Sequence, residues 1–131
     1  MYLYLIDDDP LQHTLVKFHL KNKEAVSRQD YFLDASVALT QLSDNLEDEH
    51  NLPDLILLDL NMPVMDGWGF LYRFVELIPG LKKEIDIYIV SSSVNELEIS
   101  KSLSFSCIKG FYTKPLMPAD VITILNLKAT S

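Results

Sequence analysis

Short runs of β-forming residues recur along the chain at wide spacing: Tyr2–Ile6, Leu55–Leu58, Ile87–Val90 and Gly110–Thr113, with a weaker one near Tyr31–Leu33. Three of them are almost entirely apolar. A strand that is apolar at every position has both faces buried, as in a parallel sheet covered by helices on either side. The intervening segments read as those helices. Asp9-Pro10 sets an N-cap residue before a proline at the first helical position, and Leu11, Leu15, Phe18 and His19 follow at helical spacing. Ser36–Leu42 carries Val37, Leu39 and Leu42, while Gly67–Ile78 sets Phe70, Leu71, Phe74 and Ile78 on one side and closes on Pro79-Gly80. Ser93-Val94-Asn95-Glu96 has the form of a capping box opening a further helix. Pro118–Leu127 is the last, with Val121, Ile122 and Leu125 sharing a face. Strand and helix alternate about five times, which predicts βαβ crossovers and a doubly wound five-stranded parallel α/β sheet with helices on both faces.

With 131 residues the chain suits one domain with a core that needs no metal or disulfide staple. Its charge is unevenly placed: residues 1–66 hold 13 acids against 4 bases, residues 67–131 hold 6 acids against 7 bases, and the formal net charge is −8. That balance, with no Lys/Arg cluster, excludes direct nucleic-acid binding through phosphate neutralisation. The apolar runs stop far short of the ~20 residues needed to cross a bilayer, and no secretory signal opens the chain. One cysteine, Cys107, cannot form an internal disulfide. These features predict a cytoplasmic protein without membrane partners. The polar stretch Asp44–Asp54, with five acids, reads as a solvated connection. His13, His19 and His50 lack metal-ligand spacing and read as surface or helix residues, Trp68 as a packing or rim residue and Cys107 as a small semi-buried hydrophobe.

In an open parallel sheet, functional groups gather at the carboxyl ends of the strands. Asp7, Asp8 and Asp9 follow the first apolar run, Asp59 follows Leu55–Leu58, Ser91 follows Ile87–Val90, and Lys114-Pro115 follows Gly110–Thr113. Four strand ends thus deliver acids, a hydroxyl and an ammonium to one edge. Carboxylates within ~4 Å repel by roughly 4 kcal/mol per pair at an effective dielectric of about 20, so they need protons or a cation. Hard oxygen ligands on an exposed rim favour Mg²⁺. A carboxylate beside such an ion, a lysine and a hydroxyl can attack a phosphoryl group and form an aspartyl phosphate.

Asp7-Asp8, Asp59-Leu60-Asn61-Met62-Pro63 with Met65-Asp66-Gly67, Ser91 and Lys114-Pro115, in this order and each at a strand end, resemble the receiver domain of two-component response regulators over roughly residues 2–127. The resemblance implies a flavodoxin-like fold with strand order 2-1-3-4-5. It implies that Asp59 is the phosphoacceptor, taking its phosphoryl group from a sensor histidine kinase or a histidine phosphotransfer protein. Asp8 would ligate Mg²⁺ directly, Asp7 largely through water, and the Asn61 backbone carbonyl would complete the protein ligands. Lys114 would pair with Asp59 and then with the phosphoryl oxygens, and its bond to Pro115 would be cis. Ser91 would swing in to hydrogen-bond the phosphoryl group, with Ser92 and Ser93 as neighbours that a one-residue slip would put in its place. Phe111 would be the aromatic that changes rotamer in response, where family members commonly carry tyrosine. A downstream protein would then read the face made by the fourth helix, last strand and last helix.

Met1 directly before the first strand, and only a few residues after Leu127, lead us to expect a single receiver domain over residues 1–131 with no output domain. Two alternatives remain open at this level. One is a small Mg²⁺-dependent phosphatase of the haloacid-dehalogenase type, with Asp7 as nucleophile and Asp9 as acid/base. Pro10 stands where that family needs other residues, and only Asp120 follows Lys114 where it needs an acidic pair. The other is a receiver-like binding module that is not phosphorylated.

Overall fold

A computed structural model describes residues 1–92 and 95–130. Its elements are β1 (Tyr2–Ile6), α1 (Pro10–Leu20), β2 (Arg28–Phe32), α2 (Ala35–Asp44), β3 (Leu55–Leu58), α3 (Gly67–Leu77), β4 (Asp86–Ser91), α4 (Glu96–Ser102), β5 (Ile108–Thr113) and α5 (Pro118–Ala129). Single 3₁₀ turns occupy Glu49–Asn51 and Ile78–Gly80. The strands are all parallel, in the order β2-β1-β3-β4-β5. The doubly wound sheet expected from the sequence is the sheet observed.

Every residue of β1, β3 and β4 is buried, because alternate side chains feed cores on opposite faces. Tyr4, Ile6, Ile56, Leu58, Ile87 and Ile89 meet α2 and α3 through Ala38, Leu42, Phe70 and Phe74. Leu3, Leu5, Leu55, Leu57, Tyr88 and Val90 meet α1 and α5 through Val16, Leu20, Val121 and Ile124. No helix among the described residues is long and apolar enough to cross a membrane.

Several helix faces differ from those expected. On α1 the inward stripe is His13, Val16 and Leu20, while Leu11 and Phe18 stand in water at 74% and 72% exposure. Both stripes have helical spacing; the packed one is chosen by where the chain leaves β1. On α2, Ala35, Ala38 and Leu42 face the sheet and Val37 is exposed, since small residues let the helix lie close. On α5, Ile124 takes the inward place expected of Ile122, and on α3 Ile78 is left at the rim.

Two boundaries also move. The weak strand near Tyr31–Leu33 is β2, Arg28–Phe32, an edge strand whose Asp30 accepts hydrogen bonds from the Tyr2 hydroxyl and the Gln41 side chain. The N-cap of α4 is Asn95, whose side-chain oxygen accepts the Glu98 N–H at 2.9 Å, so the helix opens later than a Ser93 cap would have it. Ser93 itself lies outside the described residues. In the acidic Asp44–Asp54 stretch, Asp54 is not mere solvation: its carboxylate accepts the Tyr2 N–H at 2.8 Å and stands 3.4 Å from Lys83 Nζ.

Candidate functional site

Parallel strands bring all their carboxyl ends to one edge, and the strand order sets β1 beside β3, β3 beside β4 and β4 beside β5. Asp7 and Asp8 leave β1, Asp59 leaves β3, Ser91 ends β4 and Lys114 follows β5. Asp7, Asp8 and Asp59 each bring a carboxylate oxygen within 4.8 Å of the others, with Asp7 and Asp59 buried and Asp8 open to solvent. The Lys114 ammonium bridges the two buried acids, 2.8 Å from Asp7 Oδ2 and 3.3 Å from Asp59 Oδ2. Asp7 Oδ1 accepts the Asp9 N–H at 2.9 Å, and Asp59 Oδ1 accepts the Asn61 N–H at 3.2 Å. Across from them Ser91 is fully buried, its hydroxyl oxygen accepting from the Asn61 amide at 3.2 Å. Lys114–Pro115 is cis.

Burial, and next the charge of Asp7, push the Asp59 carboxyl up to about 6, against the opposing pull of Lys114 and the Asn61 N–H. Burial works to lower Lys114, but the hydrogen bond and charge of Asp7, joined by Asp59, outweigh it and hold the ammonium above its usual value. Three carboxylates thus gather around a site where one ammonium pairs with two of them, Asp7 and Asp59. That leftover negative charge, an all-oxygen donor set and a side open to solvent at Asp8 fit a hard divalent cation such as Mg²⁺.

The β3–α3 loop gives the site its floor. Asp66 caps α3 by accepting the Gly69 N–H at 2.8 Å, and Gly67 N–H reaches the Leu60 carbonyl at 3.0 Å. A Cβ on Gly67 would lie 2.6 Å from the Asp59 carbonyl oxygen and 2.7 Å from Leu60 Cα, so only glycine lets the first turn of α3 rest on the Asp59 backbone. Phe111 is partly buried against the core on the α2–α3 side, and Tyr112 against the opposite one. Lys114 and Ser91 are tied directly, Lys114 N–H to Ser91 carbonyl at 2.9 Å.

The structure therefore brings together Asp7, Asp8, Asp59, Asn61, Ser91 and Lys114. It also adds His13, whose spacing with Val16 and Leu20 was the available signal: it is buried under the site with Nε2 2.7 Å from the Asp7 carbonyl.

The model of the response regulator receiver domain matches residues 3–126. The chain belongs to that family. A glycerol metabolism activator of Pseudomonas putida is 34% identical over 119 residues, which are 87% of this chain and 48% of that protein, so the receiver chain spans about half its relative's length. A two-component response regulator from Cytophaga hutchinsonii has the same fold at a TM-score of 0.87, with 22% identity over 99% of this chain and 97% of the other. The receiver domain of a histidine kinase from Arabidopsis thaliana, solved with Mg²⁺, superposes at a TM-score of 0.78, with 22% identity over 95% and 90% of the two chains. Receiver domains bind Mg²⁺ at an acidic pocket and interact with histidine kinases and phosphotransfer proteins. The phosphatase alternative finds no support: Asp9, its acid/base, is spent on capping α1 through the Leu11 N–H at 2.9 Å, and the family match spans the chain.

Proposed function

We propose that this receiver accepts a phosphoryl group on Asp59 from a phosphohistidine and passes the change to a protein-binding face. The observation that carries the reading is the shared ammonium: Lys114 stands within 3.3 Å of both Asp59 and Asp7 at the strand ends. The Asp59 carboxylate attacks phosphorus; the new O–P bond forms as the N–P bond breaks, and the donor imidazole nitrogen keeps the bonding pair. The Asn61 N–H, on Oδ1, leaves Oδ2 on the Lys114 side. Lys114 then neutralises phosphoryl oxygen, and Asp7 keeps it aimed into the site. Asp8, Asp7, Asp59 and the Asn61 carbonyl would hold Mg²⁺. When bound, the ion would offset the carboxylate repulsion and the charge on the phosphoryl oxygens.

Ser91 gives up its hydrogen bond from Asn61 and donates to a phosphoryl oxygen, drawing the end of β4 inward. Phe111 follows, and the face of α4, β5 and α5 changes its affinity for a downstream protein. Phe111 carries no phenolic hydroxyl, so this step works by packing. The single free cysteine and the phosphohistidine donor both suit a cytoplasmic setting.

Borohydride trapping tests the reading. An aspartyl phosphate formed with acetyl phosphate and Mg²⁺ is reduced to homoserine, and peptide mapping is expected to find homoserine at position 59 alone. Homoserine at position 7 or 8 instead would overturn it.

A further inference from the structure

α4 is held to the fold by little. It has seven residues, Ser102 is the one that is buried, and Leu97 and Leu103 around it are 83% and 81% exposed. Its attachment on the α3 side is aromatic. Trp68 and Tyr72, one turn apart on α3, both meet Phe105 just beyond α4, with ring centroids 6.2 Å and 5.6 Å away. Into this group α4 sends Lys101, whose Nζ stands 4.4 Å from the Trp68 ring centre and 5.5 Å from that of Tyr72. An ammonium within about 6 Å of two ring faces is a cation–π contact on both.

The other end of this contact lies at the acceptor. Trp68 follows Gly67, the residue that seats α3 on the Asp59 carbonyl. We infer that Lys101 is a positioning residue of the switch: its ammonium, seated on Trp68 and Tyr72, ties α4 to the turn of α3 that rests on Asp59. Ser91 ends β4 and α4 is the next element of the chain, so when Ser91 is drawn onto a phosphoryl group α4 can follow only as this tie gives. The clamp therefore opposes the phosphorylated arrangement, by a route separate from Phe111. The inference rests on Asp59 being the phosphoacceptor.

Trp68 is the chain's single tryptophan, so its emission reports the clamp directly. The test follows intact mass and tryptophan emission together in the full chain with Mg²⁺ and acetyl phosphate, for the wild type, Lys101→Met and Lys101→Arg. In the wild type, emission is expected to change in step with the gain of phosphoryl mass. Lys101→Met, which keeps the aliphatic stem and loses the cation, is expected to be phosphorylated about two- to fivefold faster and to lose most of that emission change. Lys101→Arg, whose guanidinium also sits on aromatic faces, is expected to match the wild type. Equal rates and emission changes in the wild type and Lys101→Met, or an Arg variant that behaves like Met, would overturn the inference and leave the acceptor reading standing. No phosphoryl mass on the wild type would overturn both.

Discussion

Lys114 is closer to Asp7 than to Asp59: its Nζ stands 2.8 Å from the first and 3.3 Å from the second. Both carboxylates are buried and the lysine side chain is 12% exposed, so these are ion pairs in a weakly screened place. Removing the cation leaves two buried carboxylates facing each other.

Lys114→Met is accordingly expected to destabilise the metal-free protein by about 3–5 kcal/mol in urea unfolding, the range for breaking a buried pair from one side. Mg²⁺ supplies replacement positive charge, so the gap between variant and wild type is expected to narrow in millimolar Mg²⁺. A gap that Mg²⁺ leaves unchanged would mean that the carboxylates do not bind the ion.

The pH dependence follows from Asp59. Its carboxyl is raised to about 6 in the fold, from an ordinary value near 4 in the unfolded chain, so the folded protein holds this proton more tightly. The group costs nothing below about pH 4, and the cost grows between the two values and is complete above about 6. Without metal, Asp59→Asn is expected to stabilise the protein by roughly 1–3 kcal/mol at pH 7.5 and by much less at pH 4.5, measured by urea midpoints. Mg²⁺ is expected to stabilise the wild type more than this variant.

Much of this site was legible because chemistry and topology coincide. The runs at β1, β3 and β4 are apolar almost throughout and each gives way at once to Asp or Ser, so the strand ends and their side chains read off together. The helix faces were less legible. Leu11 and Phe18 form as regular a stripe as His13, Val16 and Leu20, and only the path of the chain after Asp9 decides between them. β2 was blurred because Arg28, Gln29 and Asp30 are polar, and the partners that satisfy Asp30, Tyr2 and Gln41, come from distant segments. The Asp86–Lys128 pair at 3.3 Å, joining the start of β4 to the end of α5, leaves no local signature either.

Val64 lies in the loop after the acceptor with φ at 67°, in the left-handed region that β-branched residues avoid, and its side chain is fully exposed, with no burial to repay the strain. Val64→Asn, which tolerates this conformation, is expected to stabilise the protein by about 1 kcal/mol in thermal or urea unfolding. Loss of stability would show that the side chain makes a contact that matters.

Gly67 has the opposite sensitivity. A methyl group there would meet backbone at 2.6 Å and 2.7 Å, so α3 must lift from Asp59 to admit it. Gly67→Ala is expected to cost about 1–3 kcal/mol of stability and to slow phosphorylation, whereas Gly69→Ala, whose nearest neighbour is the Met65 side chain at 3.3 Å, is expected to be milder on both counts.

The central claim is that Asp59 carries the phosphoryl group, and intact mass spectrometry tests it most directly. After incubation with acetyl phosphate and Mg²⁺, the wild type is expected to gain the mass of one phosphoryl group, lost again on treatment with hydroxylamine, and Asp59→Asn to gain none. An equal gain in Asp59→Asn, or no gain in the wild type, would contradict the account.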